Sequence, residues 1–124
     1  CKVGIATDLG HVSRLVIYQL RECDALVVES NHDIGMVGRS SRPWSLKQRI
    51  LGHHGHLSNN ACVELLQFIV HPRTRHVIIA HASSECNEYG LVEELGAKCL
   101  AGLGRDDIGL SVARQDTPTD TVWL

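Results

Sequence analysis

The feature that most constrains the fold is an alternation of short apolar runs with segments of helical spacing. Four runs rich in Val, Ile and Leu have the length and composition of β-strands. They are Val3–Thr7, Ala25–Glu29, His76–Ala80 and Ile108–Ala113. The second run is apolar on both faces, as in parallel or sheltered strands. Strands that alternate with helices predict an α/β architecture.

Helix signals fill the segments between the strands. Ser13 and Ser58 each precede apolar residues at helical spacing, so each serine can cap a helix. Helices are predicted from Ser13 to about Glu22, from Ser45 to Leu51, from about Asn60 to Val70, and from Tyr89 to Leu103 with an interruption at Gly96. The rest of residues 30–57 is predicted to be irregular, because glycine, serine and proline break regular patterns there.

Length and cysteine content limit the class of protein. The 124 residues are predicted to form a single domain, residues 1–124. No apolar run approaches the ~18 residues of a membrane span. Five cysteines without a CxxC pair indicate reduced thiols and predict a cytoplasmic protein. The first four residues resemble neither a signal peptide nor a translation start, so the chain is expected to be a fragment.

Ligand-type side chains follow three of the predicted strands. Asp8 follows the first strand, Glu29 with His32 and Asp33 follows the second, and His81 follows the third. Ligand sites in open α/β sheets lie at the carboxyl ends of strands. An aspartate can bridge two cations, and a carboxylate paired with a histidine serves acid–base chemistry. The residues alone leave a turn-forming aspartate, a solvated loop and a structural histidine open as alternatives.

A second group of candidates lies at the start of the helix that Ser58 caps. His53, His54 and His56 precede this helix, whose backbone N–H groups favour anions, so the segment suggests a phosphate-facing site. We predict that His56 is functional and that the other two histidines are loop residues. Ser58 and Asn59 are predicted to bind substrate.

A basic stretch precedes the histidine-rich segment. Arg39, Arg42, Lys47 and Arg49 have no acidic residue between them, and Trp44 lies among them. Cations with an aromatic side chain can hold a phosphate backbone and stack on a base. We therefore predict that Arg42, Trp44, Lys47 and Arg49 bind substrate. The alternative is a solvated loop whose tryptophan packs into the core.

The order of these segments resembles that of small bacterial metallo-β-lactamase-fold hydrolases, which are related in fold to ribonuclease Z and include DNA exonucleases. The matching segments are Thr7-Asp8, Glu29-Ser30-Asn31-His32-Asp33, Pro43-Trp44-Ser45-Leu46-Lys47-Gln48-Arg49-Ile50, Gly55-His56-Leu57-Ser58-Asn59 and Ala80-His81. The resemblance covers about residues 3–115, and its specificity comes from the combination of the second and fourth segments.

The resemblance implies a role for individual residues. Asp8 resembles the metal-bridging aspartate of the family, and His81 resembles its last metal-ligand histidine. Glu29 and His56 resemble a pair that helps to protonate the leaving group in phosphodiester cleavage. The matching segment also implies that His32 and Asp33 line the same site. The family's His-Leu-Ser-x-Glu-Asn-Asn segment appears here as His81-Ala82-Ser83-Ser84-Glu85-Cys86-Asn87, with changes at its second and sixth positions.

One departure from the family pattern determines what is expected of this chain. The first metal motif, His-x-His-x-Asp-His, is absent. The resemblance therefore implies the C-terminal half of an αββα sandwich, one mixed sheet flanked by helices. It also implies an incomplete site for two divalent ions, Zn²⁺ or Mn²⁺. An exposed apolar sheet face is expected, to be covered by the missing N-terminal half or by another copy.

Three functions remain open from the sequence. The first is phosphodiester cleavage of nucleic acid by a two-metal hydrolase, in which the isolated chain is inactive. The second is a non-catalytic or degenerate module that binds a partner. The third is metal-dependent cleavage of small esters or thioesters, because a fold does not determine its substrate.

Overall fold

The computed structural model describes all residues from 1 to 124. The chain forms a four-stranded parallel sheet with the strand order β1-β2-β3-β4. The strands are β1 Val3–Ala6, β2 Ala25–Glu29, β3 His76–Ala80 and β4 Gly109–Val112. The helices are α1 Arg14–Leu20, α2 Ile34–Arg39, α3 Trp44–Leu51, α4 Asn59–Ile69 and α5 Tyr89–Gly102. None of the five helices is long and apolar enough to cross a membrane.

The α/β architecture is confirmed, but the prediction of a mixed sheet is wrong. All three strand pairs are parallel. The physical reason is that every connection between strands contains at least one helix, which returns the chain to the same end of the sheet. Both predicted helix caps are confirmed. The Ser13 hydroxyl accepts from the Val16 N–H, and the Ser58 hydroxyl accepts from the Ala61 N–H, each at 3.2 Å.

Two helices differ from the prediction. Helix α2 lies in the segment predicted to be irregular, where Asp33 caps it by accepting a 2.8 Å hydrogen bond from the Met36 N–H. Helix α5 runs through Gly96 without interruption. A Cβ atom at Gly96 would lie 2.6 Å from the Ile79 side chain and 3.2 Å from that of Leu110. This glycine therefore permits close packing of the helix on the sheet.

The hydrophobic core lies between one face of the sheet and the helices. Leu26 and Val28 of β2 pair in register with Val77 and Ile79 of β3, and all four are buried. Helices α1, α4 and α5 contact one another or the strands in this layer. The core is completed by buried residues of α4 and α5, namely Cys62, Leu65, Leu66, Ile69, Val92, Cys99 and Leu100.

The opposite face of the sheet carries apolar side chains that remain accessible to water. Val3 and Ile5 are 53% and 69% exposed. Ile5, Val27 and Ile78 are neighbours in register across three strands, and the last two are half-buried. We call this surface, formed by Val3, Ile5, Val27 and Ile78, the open sheet face.

Candidate metal and acid–base site

Four of the predicted site residues converge at one edge of the sheet. Asp8 follows β1, Glu29 ends β2 and His81 follows β3, and the sheet is parallel, so these carboxyl ends lie side by side. His56 reaches the same edge because its neighbour Leu57 accepts a 2.9 Å hydrogen bond from the Asn31 N–H. The segment before α4 is thereby attached to the residues that follow β2.

The Glu29 carboxylate is the centre of this group. It is fully buried, and burial of a charge is costly unless hydrogen bonds compensate for the lost water. The Nδ1 atoms of His56 and His81 both donate to Glu29 Oε1, at 2.7 and 2.8 Å. The Leu9 N–H donates to Oε2 at 3.0 Å. The carboxylate therefore has three donors, of which two are imidazoles.

This arrangement determines which nitrogen of each ring carries the proton. A carboxylate accepts hydrogen bonds, so the Nδ1 atoms of neutral His56 and His81 hold the protons. The Nε2 atom of each ring is left with a lone pair, as is usual where a histidine binds a metal and its other nitrogen donates to a carboxylate. The pairing of Glu29 with His56 agrees with the sequence prediction, whereas its contact with His81 was not predicted.

Asp8 lies beside the two imidazoles. Its Oδ1 atom is 3.7 Å from His56 Nδ1 and 3.9 Å from His81 Nδ1. Potential ligand atoms of the three residues all lie within 4.8 Å of one another. Carboxylate oxygens and imidazole nitrogens are ligands that Zn²⁺ and Mn²⁺ both take, so Asp8 with one or both imidazoles is a candidate holder of a single ion. The chain contains no second cluster of this kind.

Two of these residues adopt an unfavourable backbone conformation. Asp8 and His81 have φ values of 59° and 60°, in the left-handed region that favours glycine. Each costs on the order of 1–3 kcal/mol, and residues of this kind cluster at functional sites. The Asn31 side chain donates to the His81 carbonyl at 2.7 Å and stabilises that conformation.

A cleft of about 450 Å³ opens beside the imidazoles. Arg42 and Arg49 line this cleft together with Asp8, His56 and His81. The guanidinium of Arg42 forms an ion pair with Glu85 at 3.0 Å, whereas Arg49 has no ion-pair partner. The cleft therefore combines a cluster of ligand-type side chains with positive charge.

His32 and Asp33 lie outside the lining of this cleft. His32 is buried, and its Nδ1 atom has no hydrogen-bond partner. Burial, followed by the nearby His56, lowers the pKa of His32 below its ordinary value. Asp33 is occupied as the cap of α2. A catalytic role for either residue stays a prediction.

The other predicted substrate contacts are also separate from the cleft. Trp44 is 69% exposed at the start of α3, so the alternative in which it packs into the core is wrong. The Lys47 ammonium donates to the Gly38 carbonyl at 2.8 Å. Ser58 caps α4, and Asn59 is buried. Substrate binding by these residues stays a prediction.

Sequence reasoning did not identify three polar residues near the site. Asn31 lines the cleft, and its side chain donates to the His81 carbonyl. Ser30 and Asn87 are buried, and both donate to the side-chain oxygen of Asn59. Their signal was present in the sequence. Ser30 and Asn31 lie within the segment that begins at Glu29, and Asn87 ends the segment that begins at His81.

Comparisons with known proteins find relatives but no matching family model. The chain is 35% identical over 86 residues to exodeoxyribonuclease YycJ of Bacillus anthracis, a match that covers 69% of this chain and 33% of that protein. It is 33% identical over 120 residues to exodeoxyribonuclease WalJ of Streptococcus pneumoniae serotype 2, covering 94% of this chain and 43% of that protein. The chain thus spans less than half the length of the curated relatives it matches.

Proposed function

We propose that this chain is the C-terminal half of a metallo-β-lactamase-fold nuclease that cleaves phosphodiester bonds with the help of divalent metal ions. The observation that carries the proposal is the buried Glu29 carboxylate, which orients His56 and His81 beside Asp8. The similarity to two exodeoxyribonucleases supports the same reaction class.

The residues of the site have distinct roles in this proposal. Asp8 and His81 would hold a divalent ion, which would supply Lewis-acid chemistry and lower the pKa of a bound water. Glu29 keeps the proton of His81 on Nδ1, so that Nε2 can bind the ion. The missing half of the fold would supply the remaining ligands of a two-metal site.

His56 is proposed as the proton donor to the leaving oxygen. It lines the cleft, and its Nδ1 proton is held by Glu29, so its Nε2 atom is free to exchange a proton with the substrate. A carboxylate behind an imidazole stabilises the protonated ring and fixes its orientation. In this role the single carboxylate of Glu29 serves both the metal ligand His81 and the acid His56.

The positive side of the cleft is proposed to hold the phosphate backbone of the nucleic acid. Arg49 is exposed and unpaired, and Arg42 shares the cleft with it. Guanidinium groups bind phosphate through two parallel hydrogen bonds. Binding through these contacts should weaken as the salt concentration rises.

The open sheet face supports the proposal that another layer of the fold packs on this chain. Val3 and Ile5 are more than half exposed on a face opposite the helices. In an αββα sandwich that face would be covered by the second sheet, so we propose the N-terminal half of the same fold as its partner. A second copy of the chain is the alternative occupant.

A cytoplasmic setting is part of the proposal. All five cysteines are free, and four of them are buried. Burial raises the pKa of the Cys62 thiol to about 12, which keeps it protonated and unreactive. Free thiols of this kind are typical of reducing compartments.

A non-catalytic module remains the second candidate. The observation in its favour is that the chain offers one cluster of three ligand-type residues and lacks the His-x-His-x-Asp-His motif. Such a module would use the open sheet face to bind its partner.

Nuclease assays on the chain with and without an upstream half test these alternatives. We expect the isolated chain to bind Zn²⁺ or Mn²⁺ weakly and to leave DNA intact. A longer protein that also contains the His-x-His-x-Asp-His motif should degrade DNA in a reaction that EDTA stops. Robust EDTA-sensitive cleavage by the chain alone would disprove the incomplete site. Absence of cleavage by the longer, metal-loaded protein would disprove the nuclease proposal.

A further inference from the structure

A buried polar network joins the chain segments that carry the candidate site. It consists of the side chains of Ser30, Asn59 and Asn87, which are 3%, 3% and 6% exposed. The Asn59 and Asn87 amides donate to each other, with N–O distances of 2.9 and 2.8 Å. The Ser30 hydroxyl donates to the Asn59 oxygen at 2.7 Å. The two amides thus form a reciprocal pair, and the Ser30 hydroxyl adds a third hydrogen bond to it.

Backbone groups complete the network. The Asn87 side chain also donates to the Ser30 carbonyl at 2.9 Å, and its oxygen accepts from the Glu88 N–H at 3.0 Å. No side-chain atom of Ser30, Asn59 or Asn87 is buried without a partner. A fully satisfied buried network is rigid, because breaking any one bond leaves a buried polar group unpaired.

Each member of the network lies close in sequence to a different residue of the site. Ser30 directly follows Glu29, Asn59 is the third residue after His56, and Asn87 is the sixth after His81. The network therefore joins three chain segments that are separated by 28 to 57 residues in sequence. These are the segments that carry the carboxylate and the two imidazoles.

We infer that Asn59 and Asn87 are positioning residues of the site. Their amide pair, closed by Ser30, holds three segments at the spacing at which one oxygen of Glu29 accepts from both His56 and His81. This spacing is demanding, because two Nδ1 atoms must both lie within 2.8 Å of Oε1. This assignment uses the Asn59 side chain within the protein, in place of the substrate contact that the sequence predicts for it.

The effect of the network on catalysis rests on the proposed function. Its effect on the placement of His56 and His81 around Glu29 does not. When the three segments drift apart, Glu29 loses one or both imidazoles. Each ring then loses the constraint that keeps its proton on Nδ1. The tautomer of His56 and His81 is therefore a direct measure of what the network does, and it is observable without metal or substrate.

The test replaces both amides with apolar side chains of similar shape. In the double variant Asn59→Leu with Asn87→Leu the two amides are removed together, so neither is left facing an unpaired amide. The Ser30 hydroxyl and carbonyl and the Glu88 N–H still lose a partner, so the double variant should lose some stability, and its fold is checked first by circular dichroism. The ring nitrogen shifts of His56 and His81 are measured by NMR in the metal-free, longest natural protein that carries this chain. Zn²⁺ affinity is then measured by titration with the ion alone.

We expect the wild-type rings to carry their protons on Nδ1 and the double variant to lose this preference. Zn²⁺ affinity should fall about tenfold, the lower end of the effect of removing groups that orient metal ligands. Thr74→Val is the matched control. Thr74 is buried and its hydroxyl donates to the Cys23 carbonyl at 2.9 Å, but it lies at the opposite end of the sheet. This control should lose stability and keep both tautomers.

A folded double variant with unchanged tautomers and unchanged Zn²⁺ affinity would overturn the inference. If the double variant does not fold, Ser30→Ala gives the same test, since it removes one donor and leaves the amide pair. Its rings should show a partial loss of the Nδ1 preference, and unchanged tautomers would again overturn the inference. The longer protein could lack nuclease activity while the variant still loses the preference of the His56 and His81 protons for Nδ1. That result would support the inference and refute only the proposed function.

Discussion

At the scale of single residues, the site depends on one carboxylate that serves two histidines. Glu29 was predicted from the sequence as a partner of His56, because it ends an apolar strand in a matched segment. Its second bond, to His81, spans 52 residues and follows from the pairing of β2 with β3. Nothing in the local sequence around either residue signals this contact.

The substitution Glu29→Gln should reduce kcat far more than it changes KM. The amide lacks the negative charge that stabilises a protonated His56, and removal of such assistance costs on the order of 10²-fold in rate. The measurement is steady-state DNA cleavage by the complete metal-loaded protein. Glu64→Gln, an exposed substitution on α4, serves as the control and should leave both constants unchanged.

His32 should make the stability of the protein depend on pH. Burial lowers its folded-state pKa below the ordinary 6.5, so the unfolded chain binds a proton at this position more readily. The stability that neutral His32 contributes is present above about pH 6.5 and is lost as the pH falls from there towards the folded pKa.

Urea unfolding between pH 7.5 and 5 measures this effect. The variant His32→Leu should show a smaller loss of unfolding free energy over that range than the wild type. His11→Leu, at an exposed position, should keep the wild-type slope. Equal slopes for wild type and His32→Leu would assign the pH dependence to other groups.

At the scale of helices and strands, local signals predicted most of the elements. The four strands and the capping roles of Ser13 and Ser58 were predicted, because alternation and caps depend on residues that are close in sequence. The sequence does not predict helix α2, because its two internal glycines weaken the helical pattern and its cap, Asp33, lies among the candidate site residues.

Gly96 gives a sharp test of how α5 packs on the sheet. The variant Gly96→Ala should lower the free energy of unfolding by about 1–3 kcal/mol, because the added methyl group overlaps the Ile79 and Leu110 side chains. Gly90→Ala is the matched control in the same helix, since the added Cβ would meet no atom within 4 Å beyond its chain neighbours and the backbone of its own helix. It should be neutral or stabilising by up to about 1 kcal/mol.

Thermal or urea unfolding of both glycine variants supplies the comparison. Equal stability of Gly96→Ala and Gly90→Ala would show that the helix can move away from the sheet without loss of unfolding free energy. It would then contradict the role of Gly96 in the close packing of α5 on the sheet.

At the scale of the whole molecule, the sheet is covered by helices on one side only. We expect the isolated chain to bind a hydrophobic dye and to self-associate through the open sheet face. The variant Ile5→Ser should reduce both effects, whereas Tyr18→Ser, a change at a similarly exposed residue of α1, should not. Dye fluorescence and sedimentation velocity measure the two effects.

A longer protein that contains an N-terminal half would provide the complementary measurement. If an N-terminal half covers the open sheet face, Ile5 should become protected and dye binding should disappear. A monodisperse isolated chain that binds no dye would contradict the exposure of this face.

The four strands, four of the five helices and the caps at Ser13 and Ser58 could be predicted from the sequence, because each depends on neighbours within a few positions. The candidate site residues were proposed from the ends of the strands and from the family resemblance. The parallel direction of all strands, the sharing of Glu29 by His56 and His81, and the network of Ser30, Asn59 and Asn87 could not. These features join residues 22 to 57 positions apart. Only the register of the sheet and the packing of the loops at its edge determine such distances, and that is why the tertiary structure was required.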